Sequence, residues 1–152
     1  MKRYILLVGA LLMLSFSTVC ASIPDSEFSL GGITIGSSAD YVKSLYGEPD
    51  RASNAQPGPD GSYYGYVYGS SLRIEFNADT NAVTGVIVTA NNGFSTPAGI
   101  TVGMDADVIT QLYGEPFKIS GGIISYHEEG KWLVFTTRNG KITEIKIFDY
   151  VV

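Results

Sequence analysis

Gly36-Ser-Ser-Ala-Asp-Tyr-Val-Lys-Ser-Leu-Tyr-Gly-Glu-Pro49 returns further along the chain as Gly103-Met-Asp-Ala-Asp-Val-Ile-Thr-Gln-Leu-Tyr-Gly-Glu-Pro116. Each copy follows Ile-Thr-Ile or Ile-Thr-Val. Each reads as a short helix with its start and stop written in. Ser38 and Asp105 are placed to cap the first turn, where a short side-chain oxygen accepts from an unpaired backbone N–H. Asp40 and Asp107 suit the positive end of the helix dipole. Ala39, Val42, Leu45 and Tyr46 recur at helical spacing, as do Ala106, Ile109, Leu112 and Tyr113, which predicts one apolar stripe per helix. Gly47 and Gly114 suit a left-handed C-cap, and Pro49 and Pro116 forbid continuation. In the second copy Met104 is placed to staple onto Ile109 across the cap.

Helices of about eight residues do not persist alone in water. The stripes need a partner, and the segments that follow supply strands. Tyr63–Tyr68 is an aromatic strand. Leu72-Arg-Ile-Glu-Phe76 alternates, so one face is buried and the other wet. Val83–Thr89 follows a polar turn. In the second half Ile123–His127, Lys131–Thr137 and Ile142–Phe148 take the same order, with Asn139-Gly140 a type I′ hairpin signal. Phe76 aligns with Phe135, Val83 with Ile142, Val86 with Ile145 and Val88 with Ile147. The expected fold is α+β: two tandem repeats, each a short helix packed on an antiparallel meander of about three strands. The expected divisions are a signal peptide over 1–21, the first repeat over 22–90 and the second over 91–152. Whether the two sheets join edge to edge or pack face to face is open. Ser22 to about Ser29 is expected to be a loose leader, and Gln56–Ser62 a turn-rich loop.

Lys2 and Arg3 precede an apolar run from Tyr4 to about Leu14, then small residues through Val19-Cys20-Ala21. This is the layout of a secretory signal peptide. The run is short for a membrane span, so no integral span is expected after cleavage. Cys20 is the single cysteine. A lipid-modified cysteine usually follows a small residue, and here Val19 precedes it, so Cys20 is expected to leave with the leader. The exported chain then has no disulfide. At about 130 residues it buries enough surface to be stable without one. Losing Lys2 and Arg3 takes the net charge from −5 to −7. With no basic cluster, nucleic acid is a poor partner, and so is an anionic membrane surface.

The pattern Gly-x-[Ser/Asp]-x-x-x-[Val/Ile]-x-x-Leu-Tyr-Gly-x-Pro resembles the helical signature of the SmpA/OmlA (BamE) outer-membrane assembly lipoproteins. It also resembles the tandem repeats of the β-lactamase inhibitor proteins. Gly36, Ser38, Val42, Leu45, Gly47 and Pro49 fall on it, and so do Gly103, Asp105, Ile109, Leu112, Gly114 and Pro116. The resemblance implies an α+β fold and a non-catalytic, protein-binding role in the cell envelope or outside the cell. The matching letters are caps, stops and core, so they speak for fold. The lipoproteins carry a lipidated cysteine and the inhibitors carry disulfides, and the exported chain has neither.

Candidate chemistry is sparse. His127 is the single histidine and sits at a strand end beside Glu128 and Glu129. A histidine-based nucleophilic site needs more than that, as does a zinc site. Asn77-Ala-Asp-Thr-Asn81 has alternating oxygen side chains but lacks the central glycine and distal glutamate of a calcium loop. No enzyme activity, cofactor or metal is expected. The aromatics offer more. Tyr64, Tyr66 and Tyr68 share a strand face, and Trp132 and Val134 lie opposite Leu133 and Phe135. These five, with Tyr126, form the candidate protein-binding surface, since Tyr and Trp are favoured at interfaces. The competing reading is that the other repeat or the Pro/Gly loop covers them. The expected function is an exported protein-binding module. The alternative is a structural accessory in outer-membrane assembly or envelope maintenance.

Overall fold

The computed structural model describes residues 23–58 and 61–149. The signal peptide and Cys20 lie outside those residues. Two minimal strands, β1 (Ser29–Leu30) and β2 (Ile33–Thr34), precede helix α1 (Ala39–Tyr46). Then come β3 (Arg51–Ala52), β4 (Gln56–Gly58), β5 (Gly61–Tyr68), β6 (Leu72–Asn77) and β7 (Val83–Val88). Helix α2 (Asp107–Tyr113) leads to β8 (Lys118–Ser120), β9 (Ile123–Glu128), β10 (Lys131–Arg138) and β11 (Lys141–Asp149).

The expected pair of helix-on-meander repeats is corrected by the strand pairing. Apart from the small β1–β2 pair, the described strands form a single nine-stranded antiparallel sheet. Its order is β3-β5-β6-β7-β11-β10-β9-β8, with β4 also on the outer side of β5. Among the described residues α-helix is confined to two short segments. The physical reason lies at the centre. Separate meanders would leave β7 and β11 as edges with unpaired backbone groups. Instead they pair with each other, Ile145 opposite Val88 and Ile147 opposite Val86. The Pro/Gly segment expected as a loop also differs, because Gln56–Gly58 pairs along Gly61–Tyr63 as a sheet edge. Two hairpin turns use positive φ at both central residues, Asn139 and Gly140 (51° and 72°) and Glu129 and Gly130 (46° and 82°). That is the twist a two-residue hairpin requires.

The core lies on one face of the sheet. Leu72, Ile74 and Phe76 point into it from β6, Val86 and Val88 from β7, Leu133 and Phe135 from β10, and Ile145 and Ile147 from β11. Register shifts after Glu75 and after Thr136 keep Val83 and Ile142 on the same face. Helix α1 closes the core with Ala39 and Val42, and α2 with Ile109 and Tyr113. Between them come Phe28, Leu30 and Ile33, then Ile100 and Val102. The leader expected to be loose is therefore docked. Ile23 and Phe28 are buried, and Glu27 Oε2 accepts from Tyr113 Oη (2.6 Å) and Ala98 N (3.2 Å). Asp25 pairs with Lys131.

Both helices begin on hairpin turns. Ala39 N donates to Asn81 O and Ala106 N to Gly140 O, each at 2.9 Å. Ser38 Oγ accepts from Tyr41 N at 3.1 Å, as a cap should. Asp105 does not cap; its carboxylate pairs with Lys141 at 2.9 Å, and α2 starts one residue later without a side-chain cap. Met104 is largely exposed, and its sulfur accepts from Thr101 N. The stripes are narrower than expected: Leu45 and Leu112 are 46% and 52% exposed. A helix of two turns laid on a flat sheet touches it along a strip about one residue wide, and both leucines fall to the side. No described helix is long and apolar enough to cross a membrane.

Candidate functional site

The sheet separates the six candidate residues. Tyr64, Tyr66 and Tyr68 alternate onto the core face, and so does Tyr126. Trp132 and Val134 point the other way, between Leu133 and Phe135 of the core. One combined surface is therefore not formed.

The tyrosines have a structural task. Tyr64 stacks on Phe76 (5.0 Å, 13°), and Tyr66 leans on the same ring (4.7 Å). Lys43 of α1 lies 5.5 Å above Tyr66. Tyr68 Oη donates to Gly47 O at 3.0 Å, and Tyr126 Oη donates to Gly114 O at 2.9 Å. Each helix thus ends with a strand tyrosine satisfying a carbonyl that has no helical partner. Tyr68→Phe and Tyr126→Phe should each lower stability by about 1 kcal/mol, read from denaturant midpoints at constant m.

Burial raises the pKa of Tyr64, Tyr68 and Tyr126. Tyr64 and Tyr126 are pushed up to about 12. For Tyr126 the charge of Glu115 adds to burial, and for Tyr64 the main neighbour is Tyr66. Tyr113 is raised further, by burial first and then by its bond to Glu27. A folded-state pKa above the unfolded one favours the neutral form. The resulting stability is complete below the ordinary phenol value of 10 and falls as pH rises from there through about 12. Melting temperature should decline across that window, with tyrosinate absorbance rising in step.

No described helix or second sheet lies across the opposite face. In its second half, Trp132 contacts His127 (4.4 Å), Phe117 (5.5 Å, edge-on) and Phe148 (6.2 Å, stacked). Phe117 is 58% exposed. It follows Pro116 and turns onto this face to meet His127 (5.6 Å). Sequence reading missed Phe117 and Phe148 as members of the patch. Phe148 was legible, because Trp132 and Phe148 have the same alternation phase as neighbours across a hairpin. Phe117 carried no such signal. Val134 is buried within the patch.

The first half of this face is polar. Arg73 and Glu75 pair at 3.0 Å, as do Lys146 and Glu144 at 3.3 Å. Beside them a depression of about 590 Å³ is lined by Tyr63, Asn77, Thr84, Gly85 and Phe148 among others. Asn77 Oδ1 accepts from Asp79 N and Thr80 N, which makes the 77–81 segment a closed polar turn. Among the described residues no cluster of His, Cys, Asp or Glu is arranged to hold a metal.

No protein-family model matches the sequence. No curated protein matches it either. Solved structures do show likeness. An extracellular protein containing an SCP domain from Bacillus anthracis has a TM-score of 0.48 at 12% identity, over 76% of this chain and 44% of that one. A DUF4309 family protein from Bacillus subtilis has 0.46 at 14%, over 86% and 88%. A cysteine-rich secretory protein from Staphylococcus aureus has 0.52 at 14%, over 85% and 47%. This chain spans less than half the length of the anthracis and staphylococcal proteins. What it shares with the staphylococcal protein is the fold.

Proposed function

We propose that this protein is an exported, non-catalytic binding module that recognises another protein through the aromatic half of its open sheet face. The carrying observation is the Phe117, His127, Trp132 and Phe148 cluster on a face that no described element covers. Aromatic anchors grouped on an uncovered surface are the usual energetic centre of an interface. The leader layout of residues 1–21 supports export, as does the resemblance of the two helical stretches to envelope and secreted binding proteins.

The test is recovery of partners by the mature chain from native envelope and culture fluid, repeated with Trp132→Ala and Phe117→Ala. Both residues lie outside the core, so each variant should still unfold cooperatively, which its melting curve checks. A specific partner should bind at least about tenfold more weakly to each variant. If both variants fold and retain that partner at full affinity, the face is wrongly assigned. Fractionation with the outer membrane would favour the accessory role in envelope assembly instead.

A further inference from the structure

One row of the open face runs His127, Trp132, Phe148, Gly85, Glu75 across β9, β10, β11, β7 and β6. Phe148 is its middle member. On one side of Phe148 the face is raised, with Trp132, His127 and Phe117 grouped together. On the other side it is hollow. Gly85 has no side chain, and it lines the depression of about 590 Å³ together with Glu75. The register shift after Glu75 accounts for a glycine there; what counts is the room it leaves. A raised half and a hollow half, set at equal distances from one strand, make a surface that can be its own partner across a two-fold axis.

Such an axis laid along β11 exchanges the strands that flank it, β10 with β7 and β9 with β6. Two copies stacked face to face about it put Trp132 of each over Gly85 of the other, one strand spacing or about 4.8 Å from the axis. Packed sheets lie about 10 Å apart, a gap that an indole on one sheet fills against bare backbone on the other. Phe148 meets its own copy on the axis. His127 faces Glu75, two strand spacings out. Glu75 Oε1 is held by Arg73 and Oε2 lies over Gly85, where an imidazole N–H can donate to it. In the next row Val134 faces Ile87, apolar against apolar. Lys146 meets its own copy, and each brings Glu144 with it at 3.3 Å. Asp149 also lines the depression and stands outside the ion pairs of the described residues. Its carboxylate supplies the acceptor that a buried indole N–H requires.

We propose that this protein forms a two-fold dimer through its open sheet face, with Trp132 of each copy seated in the depression of the other. The inference rests on the aromatic half being an interface, and it names the resting occupant, which a foreign partner would displace.

Sedimentation of the mature chain over a dilution series reads the dimer dissociation constant. Trp132, the single tryptophan, should report its burial by a blue shift in emission that follows the same curve. Trp132→Ala removes the knob and Gly85→Val fills the hole, and each should raise the dissociation constant at least about tenfold. His127→Glu sets two carboxylates against each other and should weaken the dimer by about tenfold as well. Glu75→Lys added to it should restore most of that loss, a rescue that a folding defect does not produce. The proposal is overturned if the parent sediments as a monomer up to about 100 μM. It is equally overturned if Trp132→Ala and Gly85→Val dimerise as tightly as the parent, or if Glu75→Lys fails to rescue His127→Glu. A monomeric parent whose foreign partner is still lost with Trp132→Ala overturns the dimer alone. A monomer whose partner capture ignores Trp132→Ala overturns the interface reading with it.

Discussion

Phe76→Ala should remove about 3–5 kcal/mol of unfolding free energy, the largest loss expected from any single side chain in the first half of the sheet. Phe76 is fully buried and is gripped by Tyr64 and Tyr66 on neighbouring β5. Its loss leaves a cavity that two tyrosines, one bonded through its hydroxyl to Asn81, cannot collapse to fill. Tyr64→Ala measured with Phe76→Ala should show marked non-additivity, because the stacked pair is lost only once. Denaturant unfolding of the single and double variants tests this. A loss below about 1 kcal/mol would mean that the tyrosine strand does not pack on the core face.

Gly31→Ala should cost about 2–4 kcal/mol, although it adds a single methyl group. Gly31 turns β1 into β2 with φ of +58°, where an L side chain is strained. The added Cβ would lie 2.3 Å from Cδ1 of Phe94 and 2.9 Å from Oη of Tyr46. Those two rings pack on each other at 5.0 Å, and the Tyr46 hydroxyl donates to Gly31 O. Gly31 N donates to Ser95 O. The methyl group therefore pushes apart α1, the β1–β2 turn and the 94–95 segment together. Gly32→Ala is the control. It has positive φ but open space around the new Cβ, so it should cost only the backbone strain, about 1–2 kcal/mol. Equal costs at the two positions would refute the packing argument.

Local signals in the chain were readable and long-range ones were not. The two helices, the glycine stops, the alternating strands and the Asn139-Gly140 turn all follow from chemistry within a few residues. The joining of β7 to β11 does not, because edge pairing depends on which backbone groups are left over once both meanders exist. The same holds for Glu27. A lone acid in a presumed leader gives no sign that Tyr113, far along the chain, will donate to it. Strand phase correctly put Trp132 and Val134 on one side and the tyrosines on a common side. It could not tell that those two sides are opposite faces of one sheet. That depends on the same central join. Asp105 failed as a cap because a nearby lysine competes for its carboxylate, a contact set by tertiary placement.

The sheet has one closed and one open face because β7 and β11 are interior strands of the same sheet. Amide hydrogen exchange at Val86, Ile87, Val88, Ile145, Lys146 and Ile147 tests this most directly. The inward-donating amides of these residues should exchange only through global unfolding, as slowly as those of β6 and β10. Exchange as fast as at the β8 edge would mean that the central pair does not exist, and the division into a closed face and a binding face would go with it.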